Sequence, residues 1–152
     1  MLLSKVYSLP SESEWEYACR GGIEAARNSN PFANKDFLVP VDGNFRHDDD
    51  MPTGLDVGPR KVGSYPALFR LHDMHGNVAE WCDDIYQPER QTNNQLADFQ
   101  QATKYRVIKG GSFASPLAHC RVASRYRELQ DRRNPLTGFR VVLVPLDSEE
   151  ID

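Results

Sequence analysis

The chain has 152 residues, 39% hydrophobic and 26% charged, with a formal net charge of −4. That size suits one domain around a single core, and the composition excludes a disordered class. No apolar run approaches the roughly 20 residues of a membrane span, and the acidic balance argues against a nucleic-acid binder, which carries a basic excess. The opening MLLSKVYSLP lacks the apolar core and small-residue cleavage site of a signal peptide. Three widely spaced cysteines, Cys19, Cys82 and Cys120, include no CxxC pair, so neither a zinc knuckle nor a disulfide framework is indicated. A cytoplasmic protein with reduced, mostly buried thiols is the expectation.

In chain order, VYSL reads as a strand. Ser11 with Glu14 three residues on is a capping-box signature, after which Trp15 and Ala18 share one helical face until Gly21 and Gly22 stop the helix. From Glu24 to Arg60 the chain is rich in Asn, Asp, Pro and Gly without periodicity, a long irregular loop. Its run Asp48, Asp49, Asp50 reads as a solvated tip. LHDMHGNVAEWCD, residues 71–83, places Gly76-Asn77 between two apolar runs and predicts strand, tight turn and strand. The alternation at Val78, Glu80 and Cys82 suits a half-buried strand. Asp73 and Glu80 flank the turn, and two carboxylates aimed at one point are what a hard cation such as Ca²⁺ needs. The spacing is not that of an EF-hand, however, and alone it favours solvated hairpin charges with Trp81 in the core.

Residues Ile85 to Thr103 form a second polar loop. YRVIK is a strand running into Gly110-Gly111, HCRVASRYR and GFRVVLVP are further strand candidates, and residues 147–152 are an acidic tail. Few helices, short strands and much loop give an α+β domain over residues 1–146, with a loop-rich face.

Taken together, SLPSESEWEYACRGG, VGSYPALFRLHDMHGNVAEW, YRVIKGGSF and CRVASRYR with GFRVV resemble, in order, the formylglycine-generating enzyme (sulfatase-modifying factor) family from about Tyr7 to Val144. The resemblance implies a C-type-lectin-like fold with little regular secondary structure. Catalytic members use Cu(I) and O₂ to oxidise a sulfatase cysteine to formylglycine. Other relatives are ligand-binding modules or variable proteins of diversity-generating retroelements. Family members also carry a substantial segment before the LPSESEW block, so the resemblance leads one to expect a fragment, or a chain that pairs with a partner supplying it.

In catalytic members two cysteines after the GGS block hold the copper. Carried over from Gly110, Gly111 and Ser112, the second position falls on Cys120 and the first on Ser115. A serine hydroxyl does not replace a thiolate as a soft Cu(I) ligand, so the expectation is a non-catalytic module binding a protein or small molecule on its loop face. A copper-dependent oxidase using Cys120, with for instance Cys82 as its other sulfur, is the alternative, and a ligand-binding variable protein of a diversity-generating retroelement is a second. The resemblance further implies structural Ca²⁺ at Asp73, Gly76, Val78 and Glu80. A second calcium site would use Asn44 and Phe45, with Asp56 the nearest acidic candidate. His72, His75 and His119 belong to no ligand set, and Arg121, Arg125, Arg127, Arg132, Arg133 and Arg140 read as braces for loops and carboxylates.

Overall fold

A computed structural model describes residues 5–23, 30–46, 58–87 and 104–145. Asp48 to Asp50, Asp56, most of the second polar loop and the acidic tail lie outside them. The capping box forms as expected. The Ser11 hydroxyl accepts from the Glu14 amide, and the Glu14 carboxylate accepts from the Ser11 amide at 2.7 Å. It opens helix α1, Glu12–Cys19, whose buried residues Trp15 and Cys19 lie one turn apart. Gly21 and Gly22 take positive φ after it, and the Phe69 ring lies where a Gly21 side chain would stand. Eight residues do not sustain a helix alone. Salt bridges from Glu12 to Arg125 and from Glu16 to Lys109 tie α1 down, as does an Asp84 carboxylate on the Glu12 amide.

The strands form two sheets. β1, Lys5–Ser8, pairs antiparallel with β6, Val142–Pro145, in a two-stranded ribbon that leaves Val6, Tyr7 and Leu143 exposed. The second sheet has the order β4-β3-β2-β5, built from β2 (Ala79–Ile85), β3 (Tyr105–Lys109), β4 (Tyr126–Leu129) and the short β5 (Thr137–Gly138). β3 runs antiparallel to both neighbours, and β5 lies parallel to β2. Period-2 alternation turns Tyr105, Val107 and Lys109 to one face. Val107 and Lys109 are fully buried there, with the Lys109 ammonium 2.6 Å from Glu16 and near the Trp15 ring. One core cluster joins Trp15, Cys19, Ala33, Met74, Cys82, Val107 and Val122, and a second holds Phe32, Leu38, Phe45 and Cys120.

Three sequence expectations need correction. Gly76-Asn77 is not the tip of a hairpin, because residues 72–78 form no strand. Asp73, Gly76 and Asn77 all adopt positive φ, which breaks an extended run. Their backbone bonds go to distant chain instead: the Gly76 amide to the Gly110 carbonyl at 2.8 Å, the Asn77 amide to that of Asn44 at 2.7 Å. The segment HCRVASRYR is likewise not one strand. Leu117–Cys120 is a 3₁₀ turn, and of this segment only Tyr126 and Arg127 join the sheet, in β4; GFRVVLVP is also split, its Gly138 in β5 and Val142–Pro145 in β6. No helix among the described residues is long and apolar enough to cross a membrane.

Candidate functional site

The turn at residues 72–78 leads into the start of β2, and Glu80 lies on that strand at 6% exposure. Its Oε2 accepts from the Trp15 indole at 2.7 Å and from Arg140 Nε at 2.5 Å, while Oε1 accepts from Arg140 Nη2 at 2.7 Å. Arg140 also donates to the His72 carbonyl at 3.1 Å. This bidentate pair with an indole donor locks helix, sheet and C-terminal segment at one carboxylate. Asp73, at φ 58°, turns Oδ2 to the Gly63 amide at 2.9 Å. Its other oxygen, Oδ1, is buried with no hydrogen-bond partner among the described residues. An orphaned carboxylate oxygen is costly to bury and is the feature that fits a cation. Glu80 fits less well, since both its oxygens already have donors. Among the described residues no group of three His, Cys, Asp or Glu side chains gathers as a metal cluster.

Asn77 clamps the turn. Its side chain donates to the Arg60 carbonyl at 3.2 Å and accepts from the Arg60 amide at 2.8 Å, while its own carbonyl takes the Phe113 amide at 2.8 Å. Asn44 joins this clamp, donating from its amide to the Gly58 carbonyl at 3.0 Å. Phe45 is buried in the second cluster. The structure thus brings Asn44 against the turn, while Asp56 lies outside the described residues. Asn77 is the residue that reasoning on the sequence underrated. The signal was there in its type, since asparagine adopts left-handed φ more readily than bulkier residues.

The copper positions look different. The Ser115 hydroxyl accepts from the Ser112 amide at 2.9 Å and lies 3.1 Å from the Ser112 hydroxyl. Its carbonyl holds the Arg46 amide at 2.9 Å. Cys120 is fully buried, its sulfur in weak contact with the Pro116 carbonyl at 3.8 Å, and burial pushes its thiol pKa up to about 12. Gly111, at φ 70°, is where a side chain would meet that sulfur, its Cβ falling 2.7 Å from Sγ. Cys82 belongs to the other core cluster, and burial lifts its thiol to about 12 as well. All three cysteines are free and buried. Cys120 and Ser115 therefore do not fit Cu(I), which needs soft donors that are readily deprotonated.

His75 joins the two regions. A carbonyl only accepts, so Nδ1 carries the proton it donates to the Cys120 carbonyl at 2.7 Å, leaving Nε2 towards the Cys19 thiol at 3.8 Å. Burial lowers its pKa and keeps the ring neutral. His72 is exposed, with Nδ1 against the Tyr65 carbonyl at 2.8 Å. Arg125 and Arg140 brace carboxylates, as the family resemblance led one to expect.

One short helix, two small sheets and long loops clamped by side chains define an α+β fold of the formylglycine-generating-enzyme type. A family model described as "Sulfatase-modifying factor enzyme 1-like domain" matches residues 1–144. The chain belongs to this family. The formylglycine-generating enzyme of Mycobacterium tuberculosis is 32% identical over 154 residues, an alignment covering 91% of this chain and 51% of that enzyme. The solved structure of CarF superposes with a TM-score of 0.68 at 25% identity, covering 93% of this chain and 48% of CarF. Treponema denticola variable protein 1 superposes with a TM-score of 0.66 at 24% identity, covering 92% and 48%, a likeness of fold alone. The chain spans about half the length of the curated relatives it matches.

Proposed function

We propose that this domain is a non-catalytic member of the family, a module that binds a protein or small-molecule ligand on its loop face. The observation that carries the reading is Ser115. At the position where the resemblance puts the first copper thiolate, a hydroxyl is tied to the Ser112 amide at 2.9 Å. The one sulfur left, on Cys120, is buried and protonated. The test supplies copper and air to the wild-type chain with a cysteine-containing sulfatase peptide. The peptide is expected to stay unmodified, and its oxidation would overturn the reading. Ser115→Cys restores the second sulfur at almost constant volume. It should gain Cu(I) affinity that disappears in Ser115→Cys/Cys120→Ala, the coupling expected of two ligands on one ion.

A structural Ca²⁺ ion is a second element of the proposal, favoured by the partnerless Oδ1 of Asp73. Asp73 would hold it together with the carbonyls of Gly76 and Val78, and Glu80 would join only by releasing Arg140. Ligands that bind only the folded state stabilise it by mass action, by about 2.7 kcal/mol at a hundredfold excess over Kd. The Tm should therefore be higher in calcium than in chelator. Asp73→Gly, which suits the positive φ, should erase the difference. Superimposable melting curves of the wild type in the two conditions would rule the ion out.

A further inference from the structure

A second arginine site lies on the same face of the sheet as Lys109, at the far end of β3. The Tyr86 amide donates to the Tyr105 carbonyl at 2.9 Å, which fixes the end of β2 beside the start of β3. In the β3–β4 register Val107 faces Arg127 and Tyr105 faces Leu129, so Tyr105 and Arg127 are diagonal neighbours on one face. The Arg127 guanidinium carbon lies 4.7 Å from the Tyr105 ring centre and 5.7 Å from that of Tyr86. Arg125 lies 4.8 Å from the Tyr86 ring and spends its charge on Glu12, through two bonds of 2.9 Å each.

Tyr105, Arg127, Tyr86 and Arg125 thus form a ladder of alternating rings and cations, of which one cation is neutralised. Arg127 is exposed, and none of its side-chain N–H groups is hydrogen-bonded to any described residue. The nearby acid on its own strand, Glu128, points the other way, its oxygens on the Leu129 amide and the Asn134 side chain. Ring contacts hold a guanidinium through its charge and leave its in-plane donors unused. Two rings also restrict the rotamers of a side chain that would otherwise lose much entropy on binding.

We propose that Arg127, walled by Tyr86 and Tyr105, is an oxyanion-binding site that takes a carboxylate or a phosphate group through a bidentate fork. The site rests on the binding-module reading and supplies its ligand chemistry. Tyr86 and Tyr105 stand on either side, in sequence, of the polar segment between β2 and β3.

The experiment titrates the whole chain with acetate in one arm and inorganic phosphate in the other, at fixed ionic strength, following arginine Nε–Hε resonances by NMR. The Arg127 signal should shift saturably, while those of the exposed Arg121, Arg132 and Arg133 drift without saturating. The arm that saturates at lower concentration identifies the carboxylate or the phosphate as the preferred group. Arg127→Lys keeps the charge but not the fork, so affinity measured on the Tyr105 and Tyr86 ring signals should fall several-fold. An Arg127 response no different from the other three, or undiminished affinity in Arg127→Lys, would overturn the proposal. Either result leaves the copper test of the binding-module reading unaffected, and peptide oxidation would sink that reading without touching the Arg127 titration.

Discussion

Residues 71–80, an irregular turn that runs into β2, and residues 111–120, which end in a 3₁₀ turn, lie beside one sheet, and the family resemblance assigns a metal to each. They are fixed with different emphasis. The first is held by directional polar contacts: Asn77 on Arg60, and Glu80 on Arg140 and Trp15. The second adds close packing to its bonds at Ser112, Ser115 and the Cys120 carbonyl, with the Cys120 sulfur in the space a Gly111 side chain would fill. A polar clamp keeps oxygen atoms deployed and leaves Oδ1 of Asp73 over, whereas an apolar pocket silences the thiol it contains. The segment with more residues at positive φ, Asp73, Gly76 and Asn77, is thus the one that keeps a buried carboxylate oxygen without a partner among the described residues.

Removing one carboxylate should separate the two most sharply. Glu80→Ala strands Arg140 and the Trp15 indole in a largely buried site, and breaking such a pair costs about 3–5 kcal/mol. Denaturant midpoints should show this loss, with Glu80→Gln keeping part of it because an amide oxygen still accepts from Trp15. A cost near that of an exposed ion pair would mean that the polar clamp does not hold the first segment.

The packed segment should answer to volume instead. Gly111→Ala forces a Cβ against Cys120 and strains a positive φ, together about 2–4 kcal/mol. Adding Cys120→Ala removes the sulfur it strikes, so the double variant should be more stable than the sum of the single losses allows. Strict additivity in the cycle would show that packing on Cys120 is not what fixes Gly111.

The smallest effect lies at His75, which links the segments. Its folded pKa is depressed by burial, so between that value and the ordinary 6.5 the unfolded chain binds a proton that the folded chain does not. Stability should be full above 6.5 and decline as pH falls below it, with a slope of at most about 1.4 kcal/mol per pH unit from this one group. His75→Gln, with an amide able to donate to the Cys120 carbonyl, should flatten that slope. An unchanged slope in the variant would assign it elsewhere.

Local signals were legible in the sequence. The Ser11–Glu14 box, the glycine stop and the strands VYSL and YRVIK rest on contacts within a few residues or on alternation, and all appear where read. The hairpin at Gly76-Asn77 was misread because its backbone partners, Asn44 and Gly110, are more than 30 residues away on either side. Period-2 reasoning would place Lys109 inward with Val107, yet only the fold shows Glu12 and Glu16 waiting for it. The reading of Ser115 and Cys120 as a deficient copper pair came only from the resemblance. That Ser115 turns to Ser112, and that Cys82 lies in another cluster, needed the structure.

The β1–β6 ribbon sets Lys5 across from Pro145, a separation of about 5 Å between paired Cα atoms of antiparallel strands. Entry to and exit from the described fold therefore coincide. A polypeptide with so small a gap can be spliced into the surface loop of an unrelated host without prising that host apart. It can also be re-cut: a linker of a few residues from Pro145 to Lys5 would allow new ends at an exposed turn elsewhere. The described backbone thus starts and finishes at one edge, so a label on Lys5 and another on Pro145 would report the closing or fraying of a single ribbon.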